Sequence, residues 1–448
     1  MFFFALSAHA TQPNIIFLLA DDLRYDALGC NGNPLVQTPH LDQMAKDGVR
    51  FSQYFVTTPI CMVSRASYLT GLHGRSHGVQ KFDAPIPDRL HGLGYPYLLR
   101  QSGYWTAFAG KWGVDSKVPE DWFDSFEGFW GQGHYFEPGD PKHLDARLAE
   151  KAIAFIDACP KDKPFCVSIS FKSPHADDPI MYPPDPAFAT LYKDVTFPQG
   201  AKCDPAFIST LPDFFAKSLG RTRWNQNFAP PNDTAERIRE YHRLVASQDA
   251  AVGHIRAALA ERGLAENTVV IFSSDNGYFL GEMGLQDKWL LYEESIRVPL
   301  LVCGAGVAEA QRGTALDALA LSIDIAPTML DLAGAPVPPQ WQGRSLKSVL
   351  GATATTPFRT AAFFEHQYWP EEIPECRGIR TLDEKWVYYP GHQYRQDFDL
   401  RADPEEMTNR HDALSPEMQA QRESKLNAWV AGLDAWRPDA AEPWRDPE

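Results

Sequence analysis

The sequence predicts an α/β protein: a doubly wound, mostly parallel sheet, followed by a smaller C-terminal α+β unit of antiparallel strands and a helix. Three observations carry this reading. Apolar runs such as Asn14 to Ala20 alternate with segments whose apolar residues recur at helical spacing, such as Leu144 to Ala158, and that alternation builds parallel sheets. Several of the runs end abruptly in acidic, basic or amide residues, at the strand edge where open α/β sheets bind ligands. Beyond the Thr-rich stretch Ala352 to Pro357 the pattern changes to short strands and one terminal helix.

A chain of 448 residues exceeds what one hydrophobic core usually supports, so two domains are expected, over 13–351 and 358–448. Hydrophobic and charged contents of 44% and 22% are those of an ordinary globular protein. A net charge of -16 and a pI near 5.3 argue against a general nucleic-acid binder, which would carry a basic face. Residues 1–12 stand apart: Phe2 to Leu6 is apolar, and Ala8-His9-Ala10 has the small-x-small form of a signal-peptidase site. They are expected to be the remnant of a secretion signal, which places the protein in a periplasm or outside the cell. No other stretch approaches the ~20 apolar residues of a membrane span. Seven cysteines form no Cys-x-x-Cys pair, so a zinc or thioredoxin-like motif is not expected. Cys159 and Cys166 flank a Pro-Lys-Asp-Lys-Pro turn and form a candidate disulfide in an oxidising compartment; Cys61 is the candidate for an unpaired thiol.

In chain order, Asn14 to Ala20 is a strand buried on both faces that ends in Asp21-Asp22. A helix around Leu41 to Lys46 and a strand over Arg50 to Phe55 lead to the turn Thr57 to Pro59. A helix then runs from Cys61 and stops at Gly71. A cysteine at a helix N-terminus feels the positive end of the dipole, and Arg65 adds a cation one turn on. Taken alone, Cys61 reads as a buried thiol. Tyr95 to Gln101 is a helix, and Trp105 to Ala109 a strand that ends in Gly110-Lys111-Trp112-Gly113. Leu144 to Ala158 is an amphipathic helix, and Phe165 to Phe171 a strand running into Lys172-Ser173-Pro174-His175. Asp177 to Trp224 is Pro-rich, the composition of a lid or substrate-facing insertion. A long helix follows over Thr234 to Arg262, with Thr234 as N-cap and Gly263 as C-cap. Val269 to Phe272 is a strand ending in Ser273-Ser274-Asp275-Asn276-Gly277; Lys288 follows, then a strand over Val298 to Cys303 and a helix over Ser322 to Leu332. The smaller unit has strands at Ala361 to Glu365, Gly378 to Leu382 and Lys385 to Tyr389, and a helix from about Pro416 to Leu433.

Two strand ends therefore carry carboxylate or amide oxygens, Asp21-Asp22 and Asp275-Asn276. With Cys61 they form a divalent-metal set of hard oxygen ligands suited to Ca²⁺ or Mg²⁺; no His is positioned to favour zinc. Lys111, His175, Lys288 and Arg65 are cations able to converge on it. Each alone reads as a surface or structural residue; their joint placement after strands, beside Gly or Pro turns, points to one site.

On these residues the chain resembles the type I, formylglycine-dependent sulfatases of the alkaline-phosphatase superfamily. The matching pieces are Asn14 to Asp22, Cys61 to Gly71, Gly110 to Trp112, Pro174-His175, Asp275 to Gly277, and Lys288 to Pro299 with Glu293-Glu294-Ser295-Ile296-Arg297-Val298-Pro299. In the smaller unit Gly378 to Thr381 and the turn from Phe398 to Glu405 match as well. The resemblance implies that a formylglycine-generating maturation enzyme oxidises Cys61 to formylglycine (3-oxoalanine). The hydrate would attack sulfur, release the alcohol, and expel sulfate from the covalent intermediate. Asp21, Asp22, Asp275, Asn276 and the modified Cys61 would hold Ca²⁺, with Mg²⁺ as the alternative. Arg65 would steady the hydrate, Lys111 and Lys288 would hold sulfate oxygens, and His175 would protonate the leaving oxygen.

The implied substrate is a sulfated small molecule or glycan, in a pocket shaped by Gly131 to His134, the Pro-rich insertion and Glu365-His366-Gln367-Tyr368-Trp369. His134, Glu365, His366 and Arg377 are the substrate-binding candidates. Three positions depart from the family pattern. Val63 stands two residues after the cysteine, where the family has Pro or sometimes Ala, a position the maturation enzymes read. Gly113 replaces a His that assists the hydrate, and Met283 replaces a frequent His, an expected change in the substrate pocket. The competing readings are a phosphate or phosphonate ester hydrolase of the same superfamily, whose members tend to carry Asp-His where this chain has Asp275-Asn276, and a catalytically silent binding protein.

Overall fold

The apolar run after Asn14 is a strand because it is enclosed on both faces. In the computed structural model, which describes residues 12–80, 84–114, 117–177, 181–353, 356–440 and 442–447, all eight residues of β1 (Asn14–Asp21) are buried. Successive side chains of a strand point to opposite faces. Accordingly Ile15, Phe17 and Leu19 enter one hydrophobic cluster, and Ile16, Leu18 and Ala20 the other. The remnant-signal residues before Gln12, and Ala354 and Thr355 of the Thr-rich stretch, lie outside the described residues.

The other strands of the large sheet are β2 (Gly48–Phe51), β3 (Trp105–Lys111), β4 (Ser125–Phe129), β5 (Phe165–Pro174), β6 (Thr268–Ser274), β7 (Leu300–Gly304) and β8 (Thr314–Leu316). Their order is β8-β2-β7-β6-β1-β5-β3-β4. Every pairing is parallel except those of β7, which runs antiparallel to both β2 and β6. The carboxyl ends of β6, β1, β5 and β3 therefore lie side by side along one edge.

Helices cover the sheet. All ten residues of α1 (Cys61–Thr70) are buried, and Gly71 ends it at φ 64° with its N–H on the Ser67 carbonyl. Both α2 (Leu144–Ala158) and α4 (Thr234–Glu261) pack with β5; the short α3 (Leu219–Asn227) closes the Pro-rich insertion between them. The N-cap of α4 is Asp233, whose side chain accepts from the Glu236 N–H, and not Thr234, whose hydroxyl donates to the Phe228 carbonyl at 2.7 Å. The expected strand over Arg50 to Phe55 is broken after Phe51; Tyr54–Phe55 pairs with Ala320–Leu321 in a separate ribbon.

The C-terminal sheet is an antiparallel meander of β9 (Ala362–His366), β10 (Cys376–Arg380), β11 (Glu384–Tyr389) and β12 (Tyr394–Asp399), covered by α5 (Pro416–Ala435). The sequence reading missed β12 because Tyr-Arg-Gln-Asp-Phe-Asp is a polar edge strand without an apolar run. All seven cysteines are free, so the candidate Cys159–Cys166 disulfide does not form: the Cys159 thiol instead meets the Pro160 and Lys163 carbonyls. No helix among the described residues is long and apolar enough to cross a membrane.

The small sheet is fastened to the large unit by apolar and ionic contacts. Phe55, Leu291 and Ile323 share one cluster with Phe364, Val387 and Phe398. Beside it Lys202 of the insertion meets Glu294 at 2.9 Å and Glu406 at 3.6 Å, Lys385 meets Glu406, and Arg380 meets Glu293 at 3.0 Å. Removing one partner of a buried pair leaves an uncompensated charge, at a cost of about 3–5 kcal/mol. Lys385→Met is therefore expected to lower the thermal unfolding midpoint clearly, because Glu406 and Glu293 lose a cation. An unchanged midpoint would show that the network contributes little.

Candidate active site

Four strand ends and one helix start meet at the carboxyl edge. β1 delivers Asp21 and Asp22, β6 leads into Asp275-Asn276, β3 ends in Lys111, β5 leads into His175, and α1 begins with Cys61. One backbone and one side-chain hydrogen bond fix their register: the Asp275 N–H donates to the Ala20 carbonyl at 3.0 Å, and the Asp22 N–H to the Asp275 carboxylate Oδ1 at 3.2 Å. Asp22 takes a left-handed φ of 68°, rare for a non-glycine residue and typical of functional sites. Gly110 sits at φ 101°, and a Cβ there would fall 1.9 Å from the Ser170 carbonyl oxygen. Only glycine lets β3 stay paired with β5 while Lys111 turns inward.

Asp21, Asp22, Cys61 and Asp275 each offer a ligand atom, and these atoms all lie within 4.8 Å of one another. The Cys61 thiol is 3.4 Å from Asp21 Oδ1. Asn276 donates its amide to Asp22 Oδ1 at 2.6 Å and to the Gly277 carbonyl, leaving its buried Oδ1 without a partner. Three carboxylates and a free amide oxygen are the donor set of a hard divalent cation. The electrostatics agree. Burial, together with Asp21, Asp287 and Asp275, pushes Asp22 up to about 7 despite Lys288, and burial with Asp21 pushes Asp275 up to about 6 despite Arg65. Burial acts on Asp21 in the same sense, but Lys111, His175, Arg65 and Lys288 hold it well below the usual carboxylate range. A dication at the centre would supply the charge that keeps the whole cluster ionised.

The cations stand around this cluster. Lys111 Nζ meets Asp21 and the Gln132 side-chain oxygen, and Lys288 Nζ meets Asp22. Arg65 donates Nε to Asp275 Oδ2 at 2.8 Å and Nη1 to the Lys111 carbonyl. His175 Nε2 is 3.7 Å from Asp22 Oδ2, while Nδ1 donates to the Ala176 carbonyl at 2.7 Å. Burial and the nearby lysines push the His175 imidazole well below its usual range, so it is neutral at rest. Burial and Asp21 raise the Cys61 thiol, which as such is a poor nucleophile.

The site opens into a cavity of about 510 Å³. His134 lines it and is held by Asp177 at 3.0 Å. The other three substrate-binding candidates do not line it. Glu365 is buried and accepts from Arg75 at 2.8 Å; its strand faces the Val63 side of α1. His366 is fully buried with Nε2 on the Tyr368 carbonyl, and Arg377 lies over the Tyr388 ring. What reaches the cavity from that segment is Tyr368 and Trp369. The insertion and the end of α3 contribute Met181, Arg223, Gln226 and Asn227, with Arg223 paired to Asp287 and lying 5.2 Å over the Trp289 ring. Asp287 and Trp289 were missed, although they flank Lys288 in sequence; Arg223 carried no signal beyond its place in the Pro-rich insertion.

The departures also find their places. Met283 is fully buried at φ 59° in the cluster shared with the small sheet and is not among the residues lining the cavity, so the change expected there does not fall in the cavity wall itself. Gly113 lies at φ 67°, and a Cβ there would meet Arg65 Cδ at 2.8 Å. The Arg65 stem fills that space. Gly113→Ala is expected to cost about 1–2 kcal/mol of stability through the left-handed backbone and to lower turnover by displacing Arg65. Gly113→His should do worse on both counts. Higher activity in the His variant would show that Arg65 yields the space freely.

A sulfatase family model matches residues 13–335, and a model of the C-terminal region of N-sulphoglucosamine sulphohydrolase matches residues 281–431. An N-acetylglucosamine-6-O-sulfatase of Bacteroides thetaiotaomicron is 31% identical, over 89% of this chain and 82% of its own length. An arylsulfatase of Clostridium perfringens is 26% identical over 89% of this chain and 90% of its own. Among solved structures, one in complex with its substrate D-glucosamine-2-N,6-O-disulfate superposes with a TM-score of 0.81 at 27% identity, covering 96% of this chain and all of the other.

Proposed function

The chain belongs to the sulfatase family, and on that premise we propose that it hydrolyses a sulfate monoester on a sugar, using formylglycine made from Cys61 beside a bound Ca²⁺, with Mg²⁺ as the alternative cation. The observation that carries this is the convergence of Cys61 with Asp21, Asp22 and Asp275 inside a ring of Lys111, Lys288, Arg65 and His175. The oxygen-rich set and the free Asn276 Oδ1 fit the cation, and Cys61 at the helix start fits the aldehyde precursor. When bound, the metal would offset charge on the sulfate, and the formylglycine hydrate would supply the attacking oxygen.

The chain's own residues do the rest. The Lys111 and Lys288 ammoniums face the centre and bind sulfate oxygens, exchanging their contacts with Asp21 and Asp22 for the ester. Arg65, locked by Asp275 and the Lys111 carbonyl, holds the helix start against the metal ligands. His175 presents Nε2 to the cavity because Nδ1–H is committed to Ala176. Negative charge arriving with the ester counters the push of the lysines and favours a proton on Nε2, which passes to the leaving oxygen. Cys61 is only 3% exposed, so the formylglycine-generating partner acts before the chain closes. The sugar assignment draws on the named substrates of the relatives and on Tyr368, Trp369 and Trp289 in the wall, whose rings suit sugar faces. Export to a periplasm or beyond, suggested by Ala8-His9-Ala10, belongs to the same proposal.

Protein made in a host with the converting enzyme is expected to show the aldehyde mass on the Cys61 peptide and to release sulfate from N-acetylglucosamine-6-sulfate or a related sugar. An unmodified thiol with no sulfate release would overturn the reading. Asp275→Ala should lose metal binding by calorimetry and fall to background turnover; unchanged activity removes Asp275 from the site. General acid catalysis is worth about 10²–10⁴-fold, so His175→Ala should slow sugar sulfates by a factor in that range and aryl sulfates, whose leaving groups need no proton, far less. Equal losses would count against the acid role.

A further inference from the structure

One buried cation next to the site has no part in the chemistry above. Lys172, in the C-terminal half of β5, is fully buried, and its Nζ donates to the Ala176 carbonyl at 2.9 Å. That oxygen also accepts the His175 Nδ1–H at 2.7 Å. We infer that Lys172 is a positioning residue for His175: its ammonium and the imidazole share one carbonyl, which fixes the ring with Nε2 toward the leaving oxygen.

The surroundings show why a lysine is used at this depth. The segment from Pro174 to Asp177 leaves the sheet, and polar contacts hold it from three sides. Tyr135 donates its hydroxyl to the His175 carbonyl at 2.7 Å and, more weakly, to the Lys172 carbonyl at 3.3 Å. Gln248 of α4 donates to the Ser173 carbonyl at 3.1 Å. Lys172 lies 5.2 Å over the Tyr135 ring and 3.9 Å from Asp177 Oδ1. Asp177 in turn accepts from His134 and from the Tyr135 N–H. An ammonium buried this deeply must keep its protein acceptors, so the Ala176 carbonyl and Asp177 are drawn to a fixed point. The Ala176 oxygen has no N–H, and the His175 nitrogen facing it is therefore the protonated one. Lys172 thus sets the ring's direction and its tautomer together. Without it the carbonyl is free to swing toward solvent in the cavity, and the imidazole loses the anchor that aims Nε2.

This inference rests on the proposed sulfatase reaction with His175 as acid, and it is tested in the matured full-length protein. Lys172→Met is expected to lower kcat for a sugar sulfate by about tenfold or more, a part of the ~10²–10⁴-fold worth of a general acid, with KM changed by less than about threefold. The loss on an aryl sulfate should be several-fold smaller. On a His175→Ala background the same change should cost nothing further, because two residues acting through one group are not additive. Lys172→Gln, which keeps an N–H donor for the Ala176 carbonyl, should recover much of the kcat. Equal losses on both esters, or a full additional loss on the His175→Ala background, would overturn the positioning role. If Lys172→Met does not fold, the Gln variant decides: a drop on both esters alike speaks against the role, and a selective drop on the sugar sulfate supports it. A wild-type protein that cleaves neither ester overturns the functional reading itself, whereas an active wild type with unselective variants overturns only the role of Lys172.

Discussion

The structure depends on keeping three buried carboxylates together. Asp21, Asp22 and Asp275 meet at the carboxyl edge of the sheet, all fully or almost fully buried. Like charges at such separations in a low-dielectric interior repel strongly. The chain answers with Lys111 on Asp21, Lys288 on Asp22 and Arg65 on Asp275. Two of the carboxyls are still displaced upward in their protonation equilibria. The residual imbalance is what would favour a divalent cation at the cluster in the proposed reaction, with the lysines released to the sulfate group.

Much of the remaining architecture follows from that demand. The cations must be aimed from different directions, and the backbone takes unusual shapes to do so. Gly110 lets β3 turn Lys111 inward, Asp22 is left-handed, and Asp287 and Trp289 on either side of Lys288 have φ of 87° and 86°. Gly113 is empty of a side chain because Arg65 passes through its space. Behind the cluster a second set of charges, Lys202, Lys385 and Arg380 with Glu293, Glu294 and Glu406, ties the insertion and the small sheet to the large one. The cavity wall is drawn from all of these parts, so its shape depends on that ionic seam as much as on packing.

The division between what was legible and what was not follows the range of the interactions. Strands buried on both faces announce themselves as apolar runs, and polar residues that end several such runs fall together at the carboxyl edge of the sheet. On that ground Asp21, Asp22, Lys111, Asp275 and Asn276, together with the helix from Cys61 to Gly71, could be read from the sequence, and the structure brings them together. Local pattern fails where a side chain's direction is set from elsewhere in the chain. Glu365 and His366 have the composition of a sugar site, yet β9 passes behind α1, where Arg75 and the Tyr368 carbonyl claim them. Arg223, Asp287 and Trp289 line the cavity because the insertion folds α3 against Lys288's neighbours, a contact across some sixty residues of sequence. The sequence by itself determined the fold class and the residues that converge at the carboxyl edge, since burial and charge are written residue by residue. Only the tertiary structure decided the cavity wall, since its contacts form between segments that share no local pattern.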